Sequence, residues 1–346
     1  MQHRSPKTRN TTIIDVAREA GVSYTTVSRV INGKDHIKPD KRERVRHAMD
    51  RLGYVVNQQA RSLARGRSQV IGLLVPDLGS SYVGEIVRGI DQALQPVNYD
   101  VILYTTHRRL VKESAYVTSI SQGLADGLIL ISPTDPEMYV SSLQARNFPF
   151  VLLDHTGSNL VDRSVGVTNW RGAYDATRYL IDLGHRRIAF INGRSDLPAS
   201  AERLAAYQTA LRDSGLCVEE ALIWQGDYGQ PSGYRSTMLL GLEKPPTAIF
   251  AANDLMAFGA MEAVREQGLR IGHDISVMGF DDIPQAAHVN PPLTTVRQPL
   301  LEMGRAAARI LLQHIADPSH PLTRIELETE LVIRESCRPP ATRRTA

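Results

Sequence analysis

The chain has 346 residues, of which 42% are hydrophobic and 22% are charged, and its formal net charge is +3. That length is sufficient for two or more domains with sizeable cores, and no apolar run is long enough to span a bilayer. The polar N-terminus MQHRSPKTRN lacks the apolar stretch of a secretory signal, so we expect a cytoplasmic protein.

Basic residues are concentrated at the start of the chain. Residues 1–66 contain 14 Lys and Arg against 6 Asp and Glu, whereas residues 67–346 contain 26 against 31. A local excess of positive charge in one small segment favours a polyanionic partner such as nucleic acid.

The stretch TIIDVAREAGVSYTTVSRVINGK (residues 12–34) predicts two short helices joined by a tight turn. Thr12 followed by Asp15 is typical of a capping box, which satisfies free backbone N–H groups at the start of a helix. Apolar residues then recur at helical spacing up to Gly21, which suits the turn. Ser23 can cap a second helix that has its own apolar face. This arrangement is the helix-turn-helix pattern.

A third helix is predicted directly after this pair. Pro39 suits a first helical turn, apolar residues recur at helical spacing from Val45 to Leu52, and Gly53 suits the end of the helix. Three helices can bury one small shared core that the first two could not bury alone.

The outward face of the second helix carries polar side chains that suit duplex DNA. Tyr24 and Thr25 lie at the helix N-terminus, which reaches base edges when such a helix enters the major groove, and Arg29 can bind guanine O6 and N7. Short side chains on the same segment suit phosphate oxygens, namely Ser23, Thr26, Ser28 and Asn32. From these residues alone, the alternative is a helical hairpin whose polar face is simply solvated.

Residues 12–34 and the continuation RVRHAMDRLGYVVNQQARSLARGRS resemble the lactose/galactose-repressor (LacI/GalR) family of bacterial transcriptional regulators, over about residues 11–336. The resemblance implies a hinge helix in NQQARSLARG (residues 57–66), which orders on DNA and inserts Leu63 into the minor groove. The family usually has proline where this chain has Val56. The DNA contacts predicted in all are Thr12, Ser23, Tyr24, Thr25, Thr26, Ser28, Arg29, Asn32, Tyr54, Asn57, Ala60 and Leu63.

After Ser68, short apolar runs alternate with helical patterns. The runs VIGLLVPD, DVILYTT, DGLILIS, FPFVLLD, RIAFING, TAIFAAND and ISVMGFDD predict strands, and segments such as SYVGEIVRGIDQAL predict the intervening helices. This alternation indicates parallel sheets with helices on both faces, and the strands are too many for one sheet. The predicted fold is an all-α helix-turn-helix headpiece followed by an α/β core of two doubly wound parallel-sheet subdomains, which the resemblance implies to be similar to periplasmic binding proteins.

The predicted organisation has five parts. In chain order these are the headpiece (1–56), the hinge helix and linker (57–68), the first core subdomain (69–168 with about 297–320), the second core subdomain (169–296 with about 321–336) and a basic tail (337–346). The return of the last segments to the two core halves is implied by the resemblance.

Ligands of doubly wound sheets bind beyond the carboxyl ends of the strands, so polar residues at those ends are candidates for a binding site. Sugars need carboxylates and amides for their hydroxyl groups and an aromatic ring for their C–H face. Guided also by the family's ligand positions, we predict effector contacts for Tyr82, Asp154, Arg203, Tyr228, Asn253 and Asp281. The alternatives are helix capping for the strand-end residues, a surface salt bridge for Arg203 and core packing for Tyr228. Capping is the preferred interpretation for Asp254 and Asp282.

Motifs of common enzyme classes are missing from the sequence. No GxGxxG follows the first strand, GSSYVGE has glutamate where a P-loop needs lysine, and no HExxH, GxSxG or Cys/His nucleophile arrangement occurs. The two cysteines, Cys217 and Cys337, belong to no Cys/His cluster. We therefore expect no catalysis, no cofactor and no metal site.

Together, the residues and the resemblance predict a homodimeric repressor of carbohydrate uptake or catabolism genes. It would bind a near-palindromic operator in double-stranded DNA and be released by a small-molecule effector, expected to be a sugar. Two alternatives stay open. One is a corepressor-dependent repressor or an activator, with a purine or a phosphoprotein as ligand. The other is a binding module similar to periplasmic sugar receptors.

Overall fold

The structure is a computed structural model that describes residues 11–31, 37–54, 67–155, 163–319 and 324–341. The chain divides into two compact units, residues 1–68 and residues 69–346. The predicted hinge helix (57–66) lies outside the described residues, and so do the predicted contacts Asn32, Asn57, Ala60 and Leu63. Within the described ranges, no helix combines the length and the apolar composition that crossing a bilayer requires.

The first unit contains three helices, α1 (Ile13–Ala20), α2 (Tyr24–Ile31) and α3 (Pro39–Leu52). Helix α1 begins with the predicted capping box, because the Thr12 hydroxyl accepts the N–H of Asp15 and the Asp15 carboxylate accepts the N–H of Thr12. Gly21 ends α1 at φ +60°, a left-handed conformation that glycine adopts without steric cost. All three helices contribute to one small core: Val16, Ala17, Ala20, Val27, Val45 and Ala48.

The second unit contains two six-stranded sheets. Its described strands are β1 (Val70–Val75), β2 (Asp100–Thr105), β3 (Gly127–Ile131), β4 (Phe150–Leu153), β5 (Ser164–Val167), β6 (Ile188–Asn192), β7 (Ile223–Gln225), β8 (Ala248–Ala251), β9 (Ser276–Asp281), β10 (Thr294–Arg297), β11 (Ile325–Leu327) and β12 (Glu330–Val332). Its α-helices are α4 (Ser81–Leu94), α5 (Leu110–Ser119), α6 (Glu137–Ala145), α7 (Asn169–Asp182), α8 (Pro198–Asp213), α9 (Gln230–Arg235), α10 (Asp254–Glu266) and α11 (Leu300–Ala316).

Each sheet, with the helices packed on it, forms one lobe. The strand order is β2-β1-β3-β4-β5-β11 in the first lobe and β7-β6-β8-β9-β10-β12 in the second. The pairs are parallel except for β10 with β12, which is antiparallel. The predicted fold class is confirmed. In each sheet the order reverses beside the first strand of the lobe, β1 or β6, where doubly wound folds bind their ligands.

The central strands are buried along their whole length. Every residue of β3, β8 and β9 is buried, because helices cover both faces of each sheet. The lobes have separate cores. Helices α4 and α11 pack on the first sheet through residues such as Ile86 and Met303, and α7 and α8 pack on the second through residues such as Leu180 and Tyr207.

The path of the C-terminal segment differs in one respect from the predicted organisation. The sequence places the return to the second subdomain at about residue 321, but β11 pairs in parallel with β5 of the first sheet, with Ile325 opposite Val165. Only β12 joins the second sheet, with Val332 opposite Thr295. The predicted boundary is therefore too early, because the partner of a three-residue strand depends on backbone hydrogen bonds to a distant segment and not on its own pattern.

Candidate functional site

Helix α2 of the first unit presents a polar face to solvent. Val27 is buried in the small core, whereas Thr25 and Arg29 are exposed and Tyr24 is 53% exposed. Ser23 caps the helix by accepting the N–H of Thr26 at 3.2 Å. Tyr24 and Thr25 lie at the start of the second helix of a helix-turn-helix, which is where such proteins contact base edges, and Arg29 lies in the last turn of the same helix.

The remaining described residues of the predicted DNA surface have additional structural roles. The Thr12 hydroxyl donates to the Asp15 carboxylate at 2.7 Å, and Thr26 and Ser28 are half-buried. Tyr54 packs against the core of the first unit. Burial, and then the proximity of Tyr24, raises the pKa of Tyr54, so its hydroxyl group stays protonated and able to donate.

In the second unit, the structure brings all six residues predicted to contact an effector into one cleft. The cleft has a volume of about 480 Å³ and is lined from both lobes. The first lobe contributes Tyr82 and Asp154, and the second lobe contributes Arg203, Tyr228, Asn253 and Asp281. A cavity of this size accommodates a small molecule.

Two buried polar atoms of the first lobe are suited to contact a ligand. Asp154 follows β4 directly, and its Oδ2 accepts the hydroxyl of Ser132 at 2.7 Å. The hydroxyl of Tyr82 faces the Asp154 carboxylate, but neither that hydroxyl nor the other oxygen, Oδ1, completes a hydrogen bond among the residues that the structure describes, and both atoms are buried. Burial, and then the charge of Asp154, raises the pKa of Tyr82, so its hydroxyl remains a donor. Because unpaired buried polar atoms are costly, these two atoms suit the hydroxyl groups of a ligand.

Arg203 is the central cation of the second lobe. It is 3% exposed, its Nε and Nη2 donate to Asn169 Oδ1 at 3.0 and 2.8 Å, and its Nη1 donates to the Ala252 carbonyl. The guanidinium lies 3.7 Å from the centre of the Phe280 ring, and Nη1 is 3.9 Å from Asp281 Oδ1. The alternative of a surface salt bridge for Arg203 is therefore wrong.

Tyr228 and Asn253 combine a structural role with a place in the cleft. The Tyr228 hydroxyl lies 2.7 Å from the Ser200 hydroxyl, and the ring packs against the core of the second lobe. Asn253 caps α10, since its Oδ1 accepts the N–H of Met256 at 2.9 Å, while its Nδ2 donates to the Tyr228 carbonyl at 3.0 Å. Capping and lining the cleft are compatible at Asn253.

The capping role predicted for Asp254 and Asp282 is wrong. Asp254 is fully buried and accepts the N–H of Ile283 at 2.9 Å, so it supports the turn that follows β9. Asp282 forms ion pairs with Arg297 and Arg334, both at 2.7 Å. Each carboxylate forms its hydrogen bond or ion pairs with residues that are distant in sequence, and the local sequence cannot predict such partners.

Other polar residues that sequence analysis missed also line the cleft. They are Asp77, Arg108, Ser132, Arg194 and Asp227. Each lies one to three residues beyond the end of a strand. The rule that ligands bind at the carboxyl ends of strands, applied to every predicted strand, would have included most of them.

Asp281 gives the ligand-free protein a testable pH dependence. Burial raises the pKa of Asp281 to about 7 even though Arg203 acts in the opposite direction. An unfolded aspartate has a pKa of about 3.9, so between these values the folded state holds a proton that the unfolded state releases. The free energy of unfolding contributed by this group therefore falls as the pH rises from about 4 to about 7.

We expect Asp281→Asn to gain thermal stability relative to the wild type as the pH rises, because the variant lacks this group. The measurement is the difference in Tm between variant and wild type at about pH 5.5 and at about pH 8. Asp175→Asn, which removes a surface carboxylate paired with Arg171, is the control and should show little change. If the difference in Tm between Asp281→Asn and the wild type is the same at both pH values, the expectation is contradicted.

Comparisons with known proteins agree with both parts of the structure. Residues 12–57 match the family described as bacterial regulatory proteins, lacI family, and residues 177–337 match the periplasmic binding protein-like domain. Catabolite control protein A of Priestia megaterium is 35% identical over 329 residues, covering 94% of this chain and 99% of that protein. The HTH-type transcriptional repressor PurR of Erwinia tasmaniensis is 37% identical over 328 residues, covering 94% of this chain and 96% of that protein.

Solved structures show the same likeness. The Lac repressor dimer bound to operator and the anti-inducer ONPF has a TM-score of 0.82 at 31% identity, covering 95% of this chain and 100% of that chain. The transcriptional regulator CelR–cellobiose complex has a TM-score of 0.73 at 34% identity, covering 94% of this chain and 99% of that chain. With sequence identity above 30% over nearly the whole length of both chains, this chain belongs to the lacI family of bacterial regulatory proteins and is a DNA-binding transcriptional regulator, not an enzyme.

Proposed function

We propose that the protein is a cytoplasmic homodimeric repressor that binds a near-palindromic operator and is released from it by a sugar bound in the cleft. One observation carries the sugar part of the proposal. Six side chains from two lobes converge on a single cavity of about 480 Å³, and their carboxylate, amide, guanidinium and phenol groups suit the hydroxyl groups of a polyol.

The chemistry of the cleft supports a sugar over an apolar ligand. Asp154 Oδ1 and the Tyr82 hydroxyl, both without a partner in the described residues, offer one acceptor and one donor. The rings of Tyr82 and Tyr228 can cover the C–H face of a sugar ring. Among the similar structures, one regulator is a complex with cellobiose and one, from Enterococcus faecium, contains bound ribose.

The DNA part of the proposal rests on the exposed face of α2. Tyr24, Thr25 and Arg29 would contact base edges, while hydroxyl groups of the same segment would contact phosphates. The hinge residues 57–66, with Asn57, Ala60 and Leu63, are proposed from the sequence to enter the minor groove. Two copies of the chain would present two such surfaces, which matches a two-fold operator.

Coupling between the two sites follows from the position of the cleft. A ligand that contacts both lobes stabilises the arrangement of the lobes in which it makes the most contacts. If that arrangement binds DNA less well, the ligand releases the operator, and the operator must weaken ligand binding by the same factor.

A titration experiment tests the proposal. An operator identified by footprinting with the purified full-length protein is used in a gel shift, to which mono- and disaccharides and, separately, purine bases are added. Release of the operator by a sugar supports the proposal. If the protein–DNA complex is tightened by a purine and unaffected by every sugar, the protein is a corepressor-dependent regulator and the sugar part is rejected.

Arg29→Ala is expected to weaken binding to the specific operator by about 1–3 kcal/mol, with a much smaller effect on non-specific DNA. The reason is that a guanidinium bound to guanine discriminates sequence, whereas phosphate contacts do not. Fluorescence anisotropy with operator and scrambled duplexes at one salt concentration measures the specific and the non-specific affinity. Arg46→Ala, at an exposed basic residue of α3, is the control. Equal losses on both duplexes for Arg29→Ala would mean that Arg29 contacts only phosphate.

A further inference from the structure

Two of the arginines in the cleft lie outside the set of predicted effector contacts. Arg108 follows β2 in the first lobe, Arg194 follows β6 in the second lobe, and both line the cavity. Burial, and then the like charge of Arg194, lowers the pKa of Arg108. The two cations therefore lie close enough to repel each other, and Arg108 has lost part of its hydration.

One nitrogen of Arg108 has no acceptor. Its Nη1 is buried and forms no hydrogen bond with any residue that the structure describes. The nearby carboxylates have other partners. Asp196 accepts hydrogen bonds from Nε and Nη2 of Arg194, Oδ1 of Asp77 accepts the N–H of Gly79 at 3.0 Å, and Glu113 accepts the hydroxyl of Tyr139. A buried charged donor without an acceptor is costly, so the position favours a ligand that supplies the acceptor.

The backbone holds Arg108 in an unfavourable conformation. His107 and Arg108 have φ values of +50° and +53°, in the left-handed region that residues other than glycine rarely adopt. The N–H of Arg108 donates to the hydroxyl of Thr106 at 3.2 Å, which helps to keep the turn in place. Such backbone conformations concentrate where a ligand is held.

Electrostatic interactions divide the lining of the cleft into two ends that meet at Tyr228. Around Arg203 the interacting groups are Tyr228, Asp281, Asp154 and Tyr82. Around Arg108 they are Arg194, Asp77, Asp196, Tyr228 and Glu113. The first end holds the unpaired donor and acceptor that suit hydroxyl groups, and the second end holds the unpaired cationic donor.

We infer that the effector is an anionic sugar, whose phosphate or carboxylate group lies between Arg108 and Arg194 while its hydroxyl groups contact the end formed by Asp154 and Asp281. This inference rests on the proposed function and narrows its ligand class. Guanidinium groups bind both kinds of oxyanion through paired, charge-assisted hydrogen bonds. An anion between these arginines of opposite lobes gives Arg108 the acceptor that it lacks and offsets the repulsion by Arg194, which is itself paired with Asp196, so its binding favours lobes that are close together.

The test uses the full-length protein and matched ligand sets. Glucose, galactose, fructose and ribose are each compared with a phosphate ester and, where one exists, with the corresponding sugar acid, by calorimetry and by release of the operator. Inorganic phosphate, with potassium chloride at equal ionic strength as reference, is measured separately by thermal shift. All measurements are repeated on Arg108→Gln and on Arg109→Gln, in which the exposed neighbouring arginine is changed.

We expect one anionic sugar to bind at least ~10-fold more tightly than its neutral parent, with Arg108→Gln removing that preference and Arg109→Gln retaining it. Phosphate stabilisation that depends on Arg108, without binding of any sugar, would show a site for anions alone and would overturn both the inference and the sugar part of the proposed function. A neutral sugar that releases the operator equally from wild type and Arg108→Gln, with no tighter binding of its anionic forms, overturns the inference and leaves the proposed function intact. Absence of any Arg108-dependent effect of phosphate or anionic sugars also overturns it.

Discussion

Replacing Arg203 by methionine is expected to lower the affinity for the sugar that releases the operator by at least ~100-fold and to reduce the free energy of unfolding by about 3 kcal/mol. The guanidinium is 3% exposed and forms hydrogen bonds with Asn169 and Ala252. Its removal leaves their oxygens unpaired and leaves Asp281, 3.9 Å away, without its nearby cation. A buried carboxylate that loses a nearby cation is destabilised far more than a surface one.

The variant should therefore bind operator DNA and fail to leave it when the sugar is added. The helix-turn-helix belongs to a separate compact unit, residues 1–68, and Arg203 belongs to the other, so we expect the helix-turn-helix to fold in the variant. Calorimetry gives the affinity, urea unfolding gives the stability, and a gel shift gives the release. Arg171→Met, which removes a 67% exposed guanidinium paired with Asp175, is the matched control and should behave like the wild type.

Arg203→Lys separates charge from geometry. An ammonium group keeps the positive charge beside Asp281 but cannot direct three donors to Asn169 and Ala252 in one plane. We expect it to recover much of the stability and little of the sugar affinity. Release of the operator from Arg203→Met at the wild-type sugar concentration would show that Arg203 is only a structural residue.

Replacing Gly89 by alanine is expected to lower the free energy of unfolding of the second unit by about 3 kcal/mol. Gly89 lies where α4 crosses α11, and a Cβ atom added there would be 2.1 Å from the carbonyl oxygen of Leu301. The contact is reciprocal, since a Cβ atom on Gly304 of α11 would be 2.1 Å from the carbonyl oxygen of Ile86. Both obstacles are backbone atoms of helices, so relief requires the two helices to separate and the core of the first lobe to loosen.

Thermal unfolding measures this effect, and a decrease in Tm of about 5–10 °C is expected. Gly84→Ala on the same helix is the matched control, because no described atom other than those of its chain neighbours and its own helix backbone lies within 4 Å of the added Cβ. There alanine should stabilise the helix by up to about 1 kcal/mol, through its higher helix propensity. If Gly89→Ala unfolds at the wild-type temperature, the close approach of α4 and α11 is not required for stability.

The helix-turn-helix is the part of the protein that could be predicted most completely. The cap at Thr12, the turn at Gly21 and the cap at Ser23 involve residues only a few positions apart, and each has the predicted role. The buried strands were predictable for a similar reason. A parallel strand covered by helices on both sides is a continuous apolar run, whatever its neighbours in the sheet.

The residues that line the candidate cleft were largely predictable, but their burial and their hydrogen-bond partners were not. Asp154, Asn253 and Asp281 were predicted because each lies at the end of a strand, and all three line one cavity in the structure. Their partners could not be predicted. Asn253 caps α10 where Asp254 was expected to, and Arg203 is buried where a surface position was an open alternative.

The local sequence determined which segments form helices and strands, because capping and hydrophobic periodicity depend on residues within a few positions of each other. Only the tertiary structure decided which groups meet. Asp282 pairs with Arg334, 52 positions away, and Thr168 is joined to Thr329, 161 positions away. Burial and a pKa such as that of Asp281 are set by all the groups around a site, and those groups come from segments that only the completed fold brings together.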